Sequence, residues 1–368
     1  MNTEDARTRA ETVGSLLRSP AALRAAAEGG DGATEVLDAA VLDAIAVQQG
    51  AGLDVITDGE LRRSNWADTP DYLDCFEKTS VNTGGLRWRG GSADAPVPLQ
   101  AATYDVVVRQ VAEAKRLGDR TAQYAFLKRH ATTRTKFTLP APSYHRRYWY
   151  EEMSREVYAS AEEYLGEIRD ALREVVDRVV ALGCDYIQLD APNYGSLCDP
   201  DHRARLAASG VDVDAQIEFD AALDSSLFDG LSGVTRAMHI CRGNAAGGRW
   251  HSIGGYGAIS AQLFPRLDVD RVLLEYDTER AGTFGPLTDI KPGVAVVLGL
   301  LTTKSGELED EAAVCERIAE AATLKPLDEL AVSTQCGFAS VASGNPVTSQ
   351  QQQRKLDLVG RVARKTWG

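Results

Sequence analysis

The feature that most limits the fold of this chain is a form that recurs eight times, a short apolar run ending in polar or reactive residues. TVGSLLR (12–18) opens the set. LDVITDGE (53–60), KFTLPAPSYH (136–145), CDYIQLDAPNY (184–194), VTRAMHICRGN (234–244), RVLLEYD (271–277), VAVVLGLLTTK (294–304) and ELAVSTQCGF (329–338) follow. Continuous apolar runs of this length suit strands buried on both faces, as in a parallel sheet. Between them, 39–52, 160–184 and 310–325 carry apolar residues at helical spacing, the last with Pro326 beyond its end as a stop. Strand and helix alternating in this way predict an α/β chain closed into a (β/α)8 barrel rather than an open doubly wound sheet. No glycine-rich phosphate loop follows a strand, which also counts against a nucleotide-binding sheet. Residues 61–135 and 195–230 exceed what one connection needs, so insertions are expected after strands 2 and 4. Within the first, 82–100 reads as a hairpin or extended excursion and 104–118 as a helix. The whole chain, 1–368, reads as one barrel domain.

Composition bounds the partners. The apolar fraction of 44% is enough for a sizeable core. A net charge of -13 argues against nucleic acid or an anionic membrane as partner, although local arginines can still bind an anionic small molecule. The stretch MNTEDARTRAETVGS lacks the basic flank and apolar core of a secretory signal, and no run is long enough to span a bilayer. A cytoplasmic location is expected. Six cysteines in a chain this long do not read as a disulfide framework, and clustered cysteines in a reducing compartment point to metal or catalysis.

In a barrel, side chains at the C-terminal ends of the strands converge on one site. Ser15, Glu60, His145 and Asp190 follow the first four runs. His239 and Cys241 end the fifth, Glu275 and Asp277 the sixth, Lys304 the seventh and Cys336 the eighth. Residues two apart on a strand point to the same side, so the His239 imidazole and the Cys241 thiolate can share one ion. Cys336 and Glu275 can join from other strand ends. One nitrogen, two thiolates and a carboxylate make a tetrahedral zinc set, and the thiolates favour zinc over magnesium or calcium. One Zn²⁺ per chain, held by His239, Cys241, Glu275 and Cys336, is the expectation. Cys75, Cys184, Cys198 and Cys315 are expected to pack. His145, His251 and Asp277 are general-acid candidates by position, and Asp190 joins His145 and His251 as a catalytic candidate. Arg18 and Arg62 could each grip a carboxylate or sulfonate with a bidentate fork.

HICRGN, LLEYD, VVLGLLTTKSGELE and LAVSTQCGFAS, with TVGSLLR and LDVITDGELRRSNW, resemble the cobalamin-independent methionine synthase superfamily. The likeness is to its short, single-barrel branch, which includes the epoxyalkane:coenzyme M transferases, and it runs from Thr12 to Trp367. It implies a barrel of the methionine synthase and uroporphyrinogen decarboxylase-like type holding one zinc, on which a substrate thiol is kept as a thiolate for attack on a methyl or other electrophilic carbon. A zinc-dependent thiol alkyltransferase is therefore expected, in its simplest form an S-methyltransferase that forms methionine from homocysteine or acts on a related small thiol. The resemblance further implies that Gly14, Ser15, Glu60 and Asp190 hold the amino-acid end of the thiol, and that the methyl donor is a folate or a methylcorrinoid. A corrinoid-bearing partner protein and self-association stay open. So does carbon–sulfur chemistry with another electrophile, as in epoxide opening by coenzyme M. A metal-free decarboxylase on the same barrel is disfavoured by the placement of cysteine and histidine. Thr12 stands where the short branch often has histidine, and Asp190-Ala191-Pro192 replaces the D-E-P of methionine synthases. Both departures count against homocysteine.

Overall fold

Each apolar run lies at or beside a parallel strand. In the computed structural model, which describes residues 8–80, 88–91 and 104–368, these are β1 (Ala10–Glu11), β2 (Val55–Ile56), β3 in two halves (Arg134–Thr135 and Phe137–Pro140), β4 (Tyr186–Asp190), β5 (Thr235–Ile240), β6 (Arg271–Glu275), β7 (Ala295–Leu301) and β8 (Leu330–Thr334). β1 pairs with both β2 and β8. β2 pairs with the first half of β3, and β4 with the second half. Between the halves, the Lys136 amide still donates to Ile56 O at 3.0 Å. The ladder continues from β4 through β5, β6 and β7 to β8. The ring therefore closes, and the fold is a (β/α)8 barrel. The first strand precedes TVGSLLR, which forms the turn leaving it.

Inside the ring, Val13, Val55, Tyr186, Ala237, Leu273, Val297 and Ala331 form a small core of their own. Beside it, where β4 and β6 begin, Glu11 accepts from Lys136 Nζ at 2.7 Å, Arg271 Nη2 at 2.9 Å and the Tyr186 hydroxyl at 2.9 Å. Burial alone would raise the Glu11 pKa, but Lys136 and Arg271 outweigh it and hold the group down at about 2. The main core lies between the ring and its helices. Ala161–Ala181 turns Leu165, Ile168, Leu172, Val176 and Val179 toward it, and Ser160 caps its N-terminus through the Glu163 amide. Ala33–Ala51, Glu311–Ala322 and Ser349–Trp367 pack likewise. The links after β5 and β6 carry only short helical turns, such as Ser260–Leu263 and Gly285–Asp289. Among the described residues, no helix is long and apolar enough to cross a membrane.

The described part of the first insertion packs against the turn after β3, where Tyr148 donates to Ala67 O at 3.3 Å. After β2, Phe76–Thr79 pairs antiparallel with Tyr104–Val107. This corrects the helix expected over 104–118: the β-branched run Val106–Val107–Val108 meets a strand partner, and Val106 and Val107 are buried in that pairing. Of the stretch expected as a hairpin or excursion (82–100), only 88–91 lie within the described residues, where Arg89–Gly90 pairs with Arg249–Trp250 beyond β5. After β4 come the helices Pro192–Ser196, Pro200–Ala208 and Val213–Ser226.

Candidate metal centre

His239 lies next to the end of β5, paired in register with Asp190 on one side and Leu273 on the other. Its Nδ1 stands 3.2 Å from Leu273 O. A carbonyl only accepts, so Nδ1 carries a proton and Nε2 is the nitrogen left to take an ion. No hydrogen bond reaches Nε2, although it is fully buried. Cys241 follows the last residue of β5 and stays on the same side. Cys336 enters from the turn after β8, and the two sulfurs stand 3.6 Å apart. The donor atoms of His239, Cys241 and Cys336 all lie within 4.8 Å of one another, and theirs is the one such group among the described residues. The Gly243 amide donates to Cys241 Sγ at 3.2 Å. Cys336 is the readier thiolate: the hydrogen bond it shares with Cys241 holds it well below the ordinary thiol range despite burial. The same hydrogen bond, with burial, drives Cys241 up.

Glu275 does not belong to that group of three. Its buried carboxylate accepts from the Arg242 amide at 3.1 Å, pairs with Arg280, and lies 3.4 Å from Lys304 Nζ. Burial pushes its pKa up, but Lys304, Arg280 and Arg242 outweigh that and hold it at about 2. Arg280 has no counterpart in the sequence reading, because it sits in a turn five residues beyond the strand end.

The residues expected to meet an amino-acid end do gather beside the thiols. Ser15 O accepts from the Phe338 amide at 2.8 Å, tying the first turn to the Cys336 loop. Gly14 lets Glu60 approach: a Cβ there would lie 2.5 Å from Glu60 Oε1. Gly337 does the same for Ser15, whose Oγ would lie 2.0 Å from an added Cβ. Glu60 holds a left-handed backbone (φ 56°) and accepts from Thr138 Oγ1 at 2.6 Å. A non-glycine residue in that region signals local strain, a mark of functional turns. Burial raises the Glu60 carboxyl, opposed by Arg63 and Thr138. Asp190 accepts from Gln188 Nε2 at 2.8 Å and is pushed up to about 7, chiefly by burial, with the Glu60 charge adding to the rise and His239 opposing it.

Other expected residues serve structure instead. Arg18 spends its guanidinium on three carbonyls, Ala339 O at 3.2 Å, Glu60 O at 2.7 Å and Arg63 O at 2.9 Å, so it braces the Glu60 turn. Arg62 pairs with Asp38. His145 is fully buried in the turn after β3. Its Nδ1 faces Ala141 O at 3.0 Å and Pro142 O at 3.2 Å, its Nε2 faces Thr69 Oγ1 at 2.8 Å, and burial drives its pKa down to about 3. With both nitrogens engaged it holds the insertion to the barrel and presents no proton to the thiols. His251 is likewise pushed down to about 3 by burial, with Nδ1 2.6 Å from Ser252 Oγ and its ring against Trp88. Asp277 has both carboxyl oxygens buried without a hydrogen bond, and burial raises it.

No protein-family model matches the sequence. The uncharacterized protein YxjH of Bacillus subtilis (strain 168) is 33% identical over 369 residues, covering 98% of this chain and 94% of that protein. The structure of a Listeria monocytogenes protein, solved as a candidate vitamin-B12-independent methionine synthase, superposes with a TM-score of 0.71 at 28% identity, covering 98% of each chain. A B12-independent methionine synthase from Shewanella sp. W3-18-1, in complex with selenomethionine, shares the fold with a TM-score of 0.69 at 20% identity over 97% of each chain. The chain belongs to the family of YxjH, within the short single-barrel branch of the cobalamin-independent methionine synthase superfamily.

Proposed function

We propose that the protein is a zinc-dependent thiol alkyltransferase that methylates the sulfur of an amino-acid thiol of the homocysteine type. Methyl or alkyl transfer is the activity its structural relatives support. The observation that carries the finer reading is the donor set: His239, Cys241 and Cys336 converge within 4.8 Å, and His239 Nε2 is buried without a geometric hydrogen-bond partner.

The set fits zinc. Two sulfurs each ~2.3 Å from a tetrahedral zinc stand about 3.8 Å apart, against 3.6 Å between Cys241 and Cys336. The Leu273 carbonyl orients the imidazole as an outer partner of a metal-bound histidine does. Zn²⁺ held there supplies the positive charge that removes the proton from a substrate thiol and keeps its sulfur nucleophilic at neutral pH. Glu275 is the candidate fourth ligand. To serve, its carboxylate must exchange Arg280 and Lys304 for the ion, which makes it the ligand that gives way.

The chain's own residues select the thiol. Glu60 and Asp190 form an acidic wall, suited to an ammonium group and repulsive to a sulfonate. An ammonium beside Asp190, poised at about 7, favours its ionised form. Ser15 is tied to the Cys336 loop, accepting from the Phe338 amide at 2.8 Å and the Ala339 amide at 3.3 Å. Tyr144 stands near Cys241 and packs against Trp66, with ring centroids 4.6 Å apart.

The test is zinc content together with zinc X-ray absorption, with and without thiols. One equivalent of zinc, gaining a sulfur neighbour with homocysteine but not with coenzyme M, is expected. Far less than one equivalent after reconstitution, or no sulfur gained with any thiol, overturns the reading.

A further inference from the structure

Cys241 and Cys336 come from strands that are not neighbours, since β6 and β7 lie between β5 and β8. Both residues also lie past the last strand residues, Ile240 and Thr334, so the ladder does not set the distance between their sulfurs. Something outside the sheet must. The carboxamide of Asn244, three residues beyond Cys241, spans the gap. Its Nδ2 donates to Gly337 O at 2.7 Å and to Ser340 Oγ at 2.9 Å, and its Oδ1 accepts from Asn345 Nδ2 at 2.9 Å. Both of its donors therefore go to the loop that carries Cys336, and its acceptor is met from the same loop. Thr303, beyond β7, closes the arrangement: its Oγ1 lies 2.8 Å from Gln335 Oε1, 3.0 Å from Gly337 O and 3.3 Å from Asn345 Nδ2. Gln335 and Gly337, the neighbours of Cys336 in the chain, are thus both held. Ser340, fixed by Asn244, places its Oγ 3.7 Å from Cys336 Sγ. Asn244, Thr303, Gln335, Ser340 and Asn345 are all buried, where hydrogen bonds between polar groups are costly to break.

We propose that Asn244 is the positioning residue of the metal centre, clamping the Cys336 loop to the Cys241 turn so that the two thiols stand side by side before any ion arrives. The clamp acts on the thiol pair itself, and its consequence for zinc rests on the metal reading above. Outer partners that orient metal ligands are worth roughly 10–100-fold in metal affinity, and that is the loss the clamp predicts.

The test compares wild type with Asn244→Ala and the near-isosteric Asn244→Asp, which keeps the shape but turns an oxygen toward Gly337 O. Gln48→Ala serves as the control. Gln48 is also a buried amide with three hydrogen bonds, to Ala44 O, Thr57 O and the Thr57 amide, but it lies away from the thiols. Two affinities are read on folded full-length protein: zinc against a chromophoric chelator, and, on metal-free protein, a trivalent arsenical that chelates two thiols only when they are adjacent. Both Asn244 variants should lose roughly 10–100-fold in zinc affinity and lose arsenical affinity in parallel, while Gln48→Ala keeps both within about threefold. Where Asn244→Ala does not fold, Asn244→Asp carries the comparison. Asn244 variants matching wild type in both affinities, or a Gln48→Ala variant that loses as much, would overturn the proposal. Wild type that chelates the arsenical but takes no zinc removes the metal reading and leaves the clamp to be judged on the arsenical. Wild type that binds neither removes the side-by-side thiols and the clamp with them.

Discussion

At the scale of single residues, the centre depends on a few side chains whose neighbours leave them no other task. Replacing Cys336 by alanine removes one donor of the group of three and should abolish zinc retention, whereas Cys75→Ala, a buried packing thiol, should retain one equivalent. Metal analysis after gel filtration checks both, and equal retention would contradict the assignment. Gly14→Ala brings a methyl within 2.5 Å of Glu60 Oε1. The Glu60 carboxylate must swing away, at a cost of about 1–3 kcal/mol. The expected result is thiol affinity weakened at least ~10-fold with zinc content unchanged, read by calorimetric titration. Some of this was readable in the order of residues. His239, Cys241 and Cys336 stand out because they are soft metal-ligand types at strand ends, and strand ends converge. The tasks of Arg18 and His145 were not readable. Arginine and histidine at strand ends suit both a ligand and a backbone carbonyl, and only the positions of Ala339, Glu60, Ala141 and Thr69 decide between them.

At the scale of elements, local rules account for the helices more fully than for the insertions. Ser349–Trp367 begins with a complete capping box: Thr348 Oγ1 accepts from the Gln351 backbone amide, and Gln351 Oε1 accepts from the Thr348 backbone amide. Thr348→Ala should lower stability by about 1 kcal/mol in urea unfolding and leave zinc content unchanged. A loss of metal would mean that this helix supports the site directly. The segment 104–118 shows where local reading fails. Its apolar positions fit a helix, yet Tyr104–Val107 is a strand, because Phe76–Thr79 offers it an edge across more than twenty intervening residues. A pairing partner so distant in sequence cannot be inferred from periodicity.

At the scale of the whole molecule, Glu11 links four strands of the ring through Lys136, Tyr186 and Arg271. Its pKa falls from an ordinary 4.5 to about 2 on folding. A depressed carboxyl contributes stability that is complete above its unfolded value and is lost as pH falls through the folded one. The difference in unfolding free energy between wild type and Glu11→Gln should therefore be steady above pH ~4.5 and shrink toward pH ~2. Its plateau should be about 3–5 kcal/mol, because the variant removes the carboxylate that faces two buried cations. Urea titrations at several pH values measure it, and a difference independent of pH would refute the role. By itself, the sequence determined the run of buried strands, most of the helices between them and hence the barrel class, since these follow from local periodicity and chain order. The tertiary structure alone decided that the two sulfurs stand 3.6 Å apart, that Arg280 and Lys304 hold Glu275, and that Asn244 spans the loops. These depend on side chains meeting across loops from different strands, and no local rule of spacing encodes such meetings.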